Sequence, residues 1–159
     1  MGVTIKLEGI GQVDQALKQL EEDFGSKTAQ ARVLVPAVRE AMRPVLLDAR
    51  QNAPEDTGDL NRSLLVEARR PTKRDRRSKY VTQTDTVIAA VTTASGKKLA
   101  KMGIKSDARA IAQEFGTARH PAQPYLRPAL EANAQSTVNR LGDILARRIQ
   151  QFRAKMSKG

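Results

Sequence analysis

The chain opens with strict alternation of apolar and polar residues, Val3-Thr4-Ile5-Lys6-Leu7, the period of a half-buried strand, and Gly9 and Gly11 interrupt it. From Val13 the period lengthens. Val13, Leu17, Leu20 and Phe24 recur at spacings of three and four, with Asp14, Lys18, Glu21 and Glu22 lying mostly off the stripe. This predicts an amphipathic helix that Gly25 and Ser26 end, the serine capping the next. A long helix is predicted over residues 28–53 from Leu34, Val38, Met42, Val45, Ala49 and Ala53. It should start near Pro36 or bend around Pro44, because each proline removes a backbone donor. Asn52-Ala53-Pro54 closes it, since the residue before proline avoids the α region.

Glu55-Asp56-Thr57-Gly58-Asp59-Leu60 has turn chemistry, with Thr57 placed to cap a short helical turn through Ser63. Residues 63–68 and 80–93 are rich in Val, Thr and Ile, as strands are. Between them lie Arg69, Arg70, Lys73, Arg74, Arg76, Arg77 and Lys79, seven basic residues against the single acid Asp75. Such density of like charge predicts a solvated hairpin tip or a disordered loop over 69–79. Residues 95–106, with Gly96, Gly103 and four lysines, are expected to be mobile in isolation. A short helix capped by Asp107 should run to Phe115 and stop at Gly116. After the proline-rich stretch 120–128 comes the clearest stripe, Leu130, Ala134, Val138, Leu141, Leu145, Ile149, Phe152 and Met156. Basic residues crowd the end of that helix and complement its dipole; its final turns, a basic tail, are expected to fray.

At 159 residues and 40% hydrophobic content, one domain with a modest core is expected over 1–159. Aromatics are only 3%, so that core must be built from small aliphatic contacts. A mean hydropathy of -0.50 and the absence of an apolar run near the roughly 20 residues needed to span a bilayer predict a soluble chain with no membrane partner. The N-terminus lacks a basic region followed by a long apolar stretch and is not expected to be a secretory signal. No Cys is present, which excludes a disulfide framework, a thiol nucleophile and thiolate metal sites and fits a reducing cytoplasm. The net charge of +11 and pI near 10.4 imply an acidic partner, nucleic acid or protein.

Catalytic chemistry finds little purchase. His120 is the only imidazole, and no second His or Cys exists to complete a transition-metal set, so it reads as a polar loop residue. Asp56 with Asp59, or Glu114 with Asp107, could be paired carboxylates of a magnesium-dependent nuclease, but all adjoin turns or helix starts, where acids serve as caps. Gly96-Lys97-Lys98 lacks the upstream glycine and the following hydroxyl of a phosphate-cradling loop. We therefore expect no enzyme and no cofactor. The run 69–79 reads either as an arm on DNA phosphates or on an acidic neighbour, or as a merely solvated loop. Only Tyr80 follows it, which supports base stacking poorly.

Two signatures carry a resemblance. The first is Ala53-Pro54-Glu55-Asp56-Thr57-Gly58-Asp59-Leu60-Asn61-Arg62-Ser63-Leu64; the second is Glu114-Phe115-Gly116-Thr117 followed by Pro121-Ala122-Gln123-Pro124-Tyr125-Leu126-Arg127-Pro128-Ala129. In this order they resemble the neck or tail-completion proteins of long-tailed bacteriophages, the gene-product-ten-like family of HK-type phages, to which the minor tail protein Z of lambdoid phages is also similar. The likeness covers roughly residues 28–150. Tyr125 stands where Phe is commoner, and the stretches 69–79 and 95–106 are longer and more charged than the family pattern.

The resemblance implies an α+β fold, a small antiparallel β-sheet packed against two long α-helices, the C-terminal one long. It also implies a structural virion protein of the head–tail junction, made in the host cytoplasm, that closes into a six- or twelve-fold ring. Its partners would be copies of itself, the tail terminator and tube on one side, the head-closure, adaptor or portal proteins on the other, and genomic DNA in the lumen. Pro54, Thr57, Gly58, Leu60, Glu114, Phe115, Gly116, Thr117, Pro121, Pro124, Tyr125, Arg127 and Pro128 would shape the block. Gly58 and Gly116 would supply conformations that penalise a side chain, and the prolines would stiffen a segment holding Tyr125 and Leu126 against the core. Arg127 would pair with a carboxylate such as Glu114 or reach a neighbouring subunit. The rival readings are a stand-alone nucleic-acid-binding protein and the metal-dependent nuclease.

Overall fold

The computed structural model describes residues 10–54, 58–104 and 109–159; the expected first strand at 3–7 and the caps assigned to Thr57 and Asp107 lie outside the described residues. The chain is α+β. Its elements are α1 (Ile10–Phe24), α2 (Lys27–Ala41), α3 (Arg43–Asn52), α4 (Asp59–Ser63), β1 (Leu64–Arg69), a 3-10 turn (Asp75–Arg77), β2 (Ile88–Thr93), α5 (Gly96–Lys101), α6 (Arg109–Phe115) and α7 (Leu126–Ser157). The strands pair antiparallel in a two-stranded sheet that the Ala94 N–H extends to the Ser63 carbonyl at 2.8 Å. Contacts divide the chain into two compact units, one from 1–42, 68–90 and 135–159 and one from 43–67 and 91–134.

In the first unit, α1, α2 and the later turns of α7 bury Val13, Ala16, Leu20, Val33, Leu34, Ala37, Ala41, Ile144, Leu145 and Ile149 in one cluster. The Phe24 and Phe152 rings meet at its edge, 4.4 Å between centroids and tilted 48°. Leu17, predicted on the buried stripe, is 38% exposed, and Ala16 takes the inward place beside Val13 and Leu20. Gly25 ends α1 in the left-handed region, its N–H on the Glu21 carbonyl at 2.9 Å, and the Ser26 hydroxyl accepts the Ala29 N–H at 3.1 Å as the cap of α2.

Helix α2 runs straight through Pro36 rather than starting there. The missing N–H orphans only the carbonyl of Arg32, an exposed residue whose surroundings water can supply, while the following turn is held by the fully buried Ala37 and Ala41. The break falls at Met42, two residues before Pro44, which then sits in the first turn of α3, where no N–H is required. Ion pairs tie α7 back to its neighbours: Glu40 accepts from Arg147 and Arg148, both at 2.9 Å, and Asp23 accepts from Arg153 at 2.7 Å. These arginines hold both carboxyls below the usual carboxylate range. The helix continues to Ser157, with every side chain beyond Phe152 exposed.

The second unit packs Ala94, Leu99 and Ile104 with Leu65 and Met102. Here the stretch 95–106, expected to be mobile, is partly folded over its described residues: the Ser95 hydroxyl caps α5 and Leu99 is buried. Around it, polar side chains satisfy backbone groups that strand pairing does not reach. Arg50 donates to the Leu64 carbonyl at 2.8 Å, Asn61 to the Arg50 carbonyl at 2.7 Å and Arg62 to the Met102 carbonyl at 3.2 Å. Asn133 on α7 donates to Asp48 on α3 at 2.6 Å. Leu130 and Met156, predicted on the α7 stripe, are exposed, while Ala129 and Ile144, outside the stripe, are buried.

The first unit depends on the close fit of small aliphatic side chains, so truncation at its centre should be costly. Leu20→Ala, at a fully buried position, is expected to lower unfolding free energy by about 2–5 kcal/mol in a urea titration.

Candidate functional site

The second signature folds into one local structure. Helix α6 ends at Phe115, and Gly116 turns the chain with φ 77°; a Cβ there would lie 2.8 Å from the backbone nitrogen of Ala122. Only glycine tolerates both the angle and the approach. The loop closes on itself: Thr117 N–H donates to the His120 carbonyl at 2.9 Å, the Thr117 hydroxyl accepts the His120 N–H at 3.1 Å, and Gln123 N–H reaches the Gln113 carbonyl at 2.7 Å. His120, Pro121 and Pro124 stand exposed on this loop.

The return brings residues 125–127 over Glu114, which is buried. One carboxylate oxygen accepts the Tyr125 and Leu126 N–H groups at 2.8 and 2.9 Å, and the other accepts the Arg127 N–H at 3.1 Å. Position 128 is proline and has no N–H. Every donor of the first turn of α7 is thereby accounted for, in a charge-assisted cap supplied from eleven residues upstream. The expected side-chain pairing of Arg127 with Glu114 is not what forms. The Arg127 backbone makes the contact and its side chain is exposed.

Tyr125 is buried at the centre of this site, its hydroxyl donating to the Ala110 carbonyl at 3.2 Å. Burial, and then the nearby charge of Glu114, push the phenol up to about 12. Leu126 is only half-buried. Phe115, the aromatic of the same signature, is 66% exposed although both Glu114 and Tyr125 are buried. In the first signature, Gly58 sits at the N-cap of α4 with φ 73° and no side-chain cap hydrogen bond. Pro54 and Leu60 are half-buried beside it.

Of the two readings of 69–79, a solvated hairpin tip or a disordered loop, the structure has the first: the run leads from β1 toward its partner β2 and is held by hydrogen bonds. Arg69 grips Asp75 with two nitrogens at 2.6 and 3.1 Å, and Asp75 also accepts from the backbone and hydroxyl of Thr72, both at 2.7 Å. The Arg69 guanidinium and the Thr72 donors hold the Asp75 carboxyl far below the usual carboxylate range. Arg70 donates to the Thr28 hydroxyl at 2.9 Å, and Arg76 to the carbonyls of Thr82 and Asp85. Asp85 in turn accepts the Thr82 N–H at 2.7 Å, and Lys27 binds the Gln83 carbonyl at 2.9 Å. These local bonds occupy the backbone that a strand would need, which is why β2 begins at Ile88 and not at residue 80 as predicted. Lys73, Arg74, Arg77 and Lys79 project into solvent.

Among the described residues no three of His, Asp and Glu gather as a metal site, and no helix is long and apolar enough to cross a membrane. Of the carboxylates considered for a nuclease, Asp56 and Asp107 lie outside the described residues, Asp59 is 3.4 Å from Arg62, and Glu114 is engaged by three N–H groups. No known family, characterised protein or solved structure matches the chain.

Two outcomes follow from the cap. Glu114→Gln replaces one acceptor oxygen by a donor facing N–H groups and is expected to cost about 2–3 kcal/mol in denaturant unfolding. Because the folded phenol of Tyr125 titrates near 12, its contribution to stability is complete below about 10 and is lost as pH rises between those values. Alkaline unfolding monitored by circular dichroism should shift to higher pH in Tyr125→Phe.

Proposed function

We propose that this protein is a non-enzymatic building block of the phage head–tail junction, a neck or tail-completion protein that closes into a homo-oligomeric ring. The observation that carries the reading is Phe115. A large aromatic stands in solvent on a helix end whose neighbours Glu114, Gly116 and Tyr125 are fixed by hydrogen bonds and steric fit. Exposed aromatics on rigid supports are the usual anchors of protein interfaces. Leu47 and Leu130, on the same unit, are exposed too. The resemblance of both signatures to neck proteins supplies the kind of assembly, and the burial of Glu114 in a helix cap supports a shaping role over a chemical one. In this reading, copies of the chain meet through heterologous contacts that close, presenting one face to the tail terminator and tube and another to head-closure, adaptor or portal proteins. Genomic DNA passes through the lumen.

Purified protein should sediment as a closed ring of six or twelve copies, or acquire that state on mixing with tail-terminator protein. Phe115→Ser should leave thermal unfolding of the monomer nearly unchanged, since the ring is already wet, and abolish the ring. A monomer under every condition, together with normally joined tails in virions lacking the chain, would defeat the proposal.

A further inference from the structure

The positive charge is unevenly shared. Residues 1–42, 68–90 and 135–159 carry 18 Lys and Arg against 9 Asp and Glu, whereas the second unit carries 10 against 8. Seven cations of the first unit fall within 69–79, and the structure sorts them into two kinds. Arg69, Arg70 and Arg76 are engaged within the chain, by Asp75, the Thr28 hydroxyl and the carbonyls of Thr82 and Asp85. They hold the loop in shape. Lys73, Arg74 and Arg77 are exposed and make no side-chain hydrogen bond or ion pair among the described residues, and exposed Lys79 lies over the Tyr80 ring at 5.0 Å from its centroid. The one acid of the run cannot neutralise them, because Arg69 and Thr72 already occupy it.

We infer that this loop is a preformed clamp for the phosphate backbone of duplex DNA, with Lys73, Arg74, Arg77 and Lys79 as the contacts and Arg69, Arg70 and Arg76 as positioning residues. Three features favour DNA over an acidic protein. The loop presents no large aliphatic residue around which a protein interface could exclude water, and lysine is depleted from such interfaces. Its free charges are all of one sign, which suits a polymer of repeated negative charge. Beside the run stands one aromatic, Tyr80, with Lys79 over one face, against four exposed cations, so phosphate contacts outweigh base stacking and binding should be indifferent to sequence. The fixed backbone lowers the ordering entropy that a disordered basic arm would lose on binding.

The test uses the full chain and a short fluorescent duplex, with anisotropy measured between about 50 and 200 mM salt. The parent should bind two unrelated sequences equally, with affinity falling steeply as salt rises. Changing Lys73, Arg74, Arg77 and Lys79 together to Ala should weaken binding at least about tenfold and flatten the log–log salt slope by about 3–4, as four lost phosphate contacts require. Thermal unfolding should stay unchanged. Arg69→Ala should instead raise amide exchange over residues 72–77 and weaken binding less. No duplex binding by the parent, an unaltered salt slope in the fourfold variant, or tighter binding of a polyglutamate peptide than of the duplex at equal ionic strength would each overturn the inference. The clamp does not depend on the ring. Ring formation without duplex binding would remove this inference alone, and duplex binding by a permanent monomer would remove only the ring.

Discussion

The second unit is organised around one buried carboxylate. Glu114 gathers the N–H groups of residues 125, 126 and 127 at the start of a 32-residue helix, and Pro128 removes the need for a fourth acceptor. A helix end buried without such partners would leave several donors stripped of water, each costing about 1–3 kcal/mol. The intervening loop must therefore return the chain to within hydrogen-bonding distance of its own starting point. Gly116 makes that return sterically possible, and the Thr117–His120 and Gln123–Gln113 bonds keep it closed. Phe115, next to buried Glu114 on the last turn of α6, is left exposed.

The first unit uses the same device on its surface. Asp75 is the only acid among the cations of 69–79, and by collecting Arg69 and both donors of Thr72 it converts a self-repelling segment into a folded one. In each unit a single carboxylate with several charge-assisted partners orders a loop. That leaves the remaining polar or aromatic side chains displayed on a fixed frame. A chain with few aromatics and a core of small aliphatics gains order in its loops this way without enlarging the core.

Much of the fold was legible in the sequence. The 3.6-residue stripes located α1 and the middle of α7, glycine marked the ends of α1 and α6, and Ser26 announced the cap of α2. Local pattern fell short where distant atoms decided the outcome. Pro36 signals a helix start by its missing donor, but nothing local says that the orphaned carbonyl lies on an exposed face. Like charge in 69–79 leaves a solvated hairpin tip and a disordered loop equally open, and periodicity does not reveal that an Asp within reach of Arg69 and Thr72 decides for the ordered tip. The strand expected from residue 80 was shortened by Arg76 and Lys27, whose targets no periodicity reveals. At the site, Glu114, Gly116 and Tyr125 of the second signature meet in the helix cap, and of Arg127 it is the backbone N–H, not the side chain, that reaches Glu114. The proline at the third position of α7 was the available clue: a carboxylate upstream of a helix that begins with proline in its first turn is a cap in waiting.

One carboxylate satisfies three consecutive backbone donors and so fixes the frame on which Phe115 is displayed. Residue-resolved amide hydrogen exchange tests it directly. The Tyr125, Leu126 and Arg127 amides should be strongly protected in the native chain and lose that protection selectively in Glu114→Ala, with the helix beyond residue 130 still protected. Exchange of those three amides at open-chain rates in the native protein would contradict it.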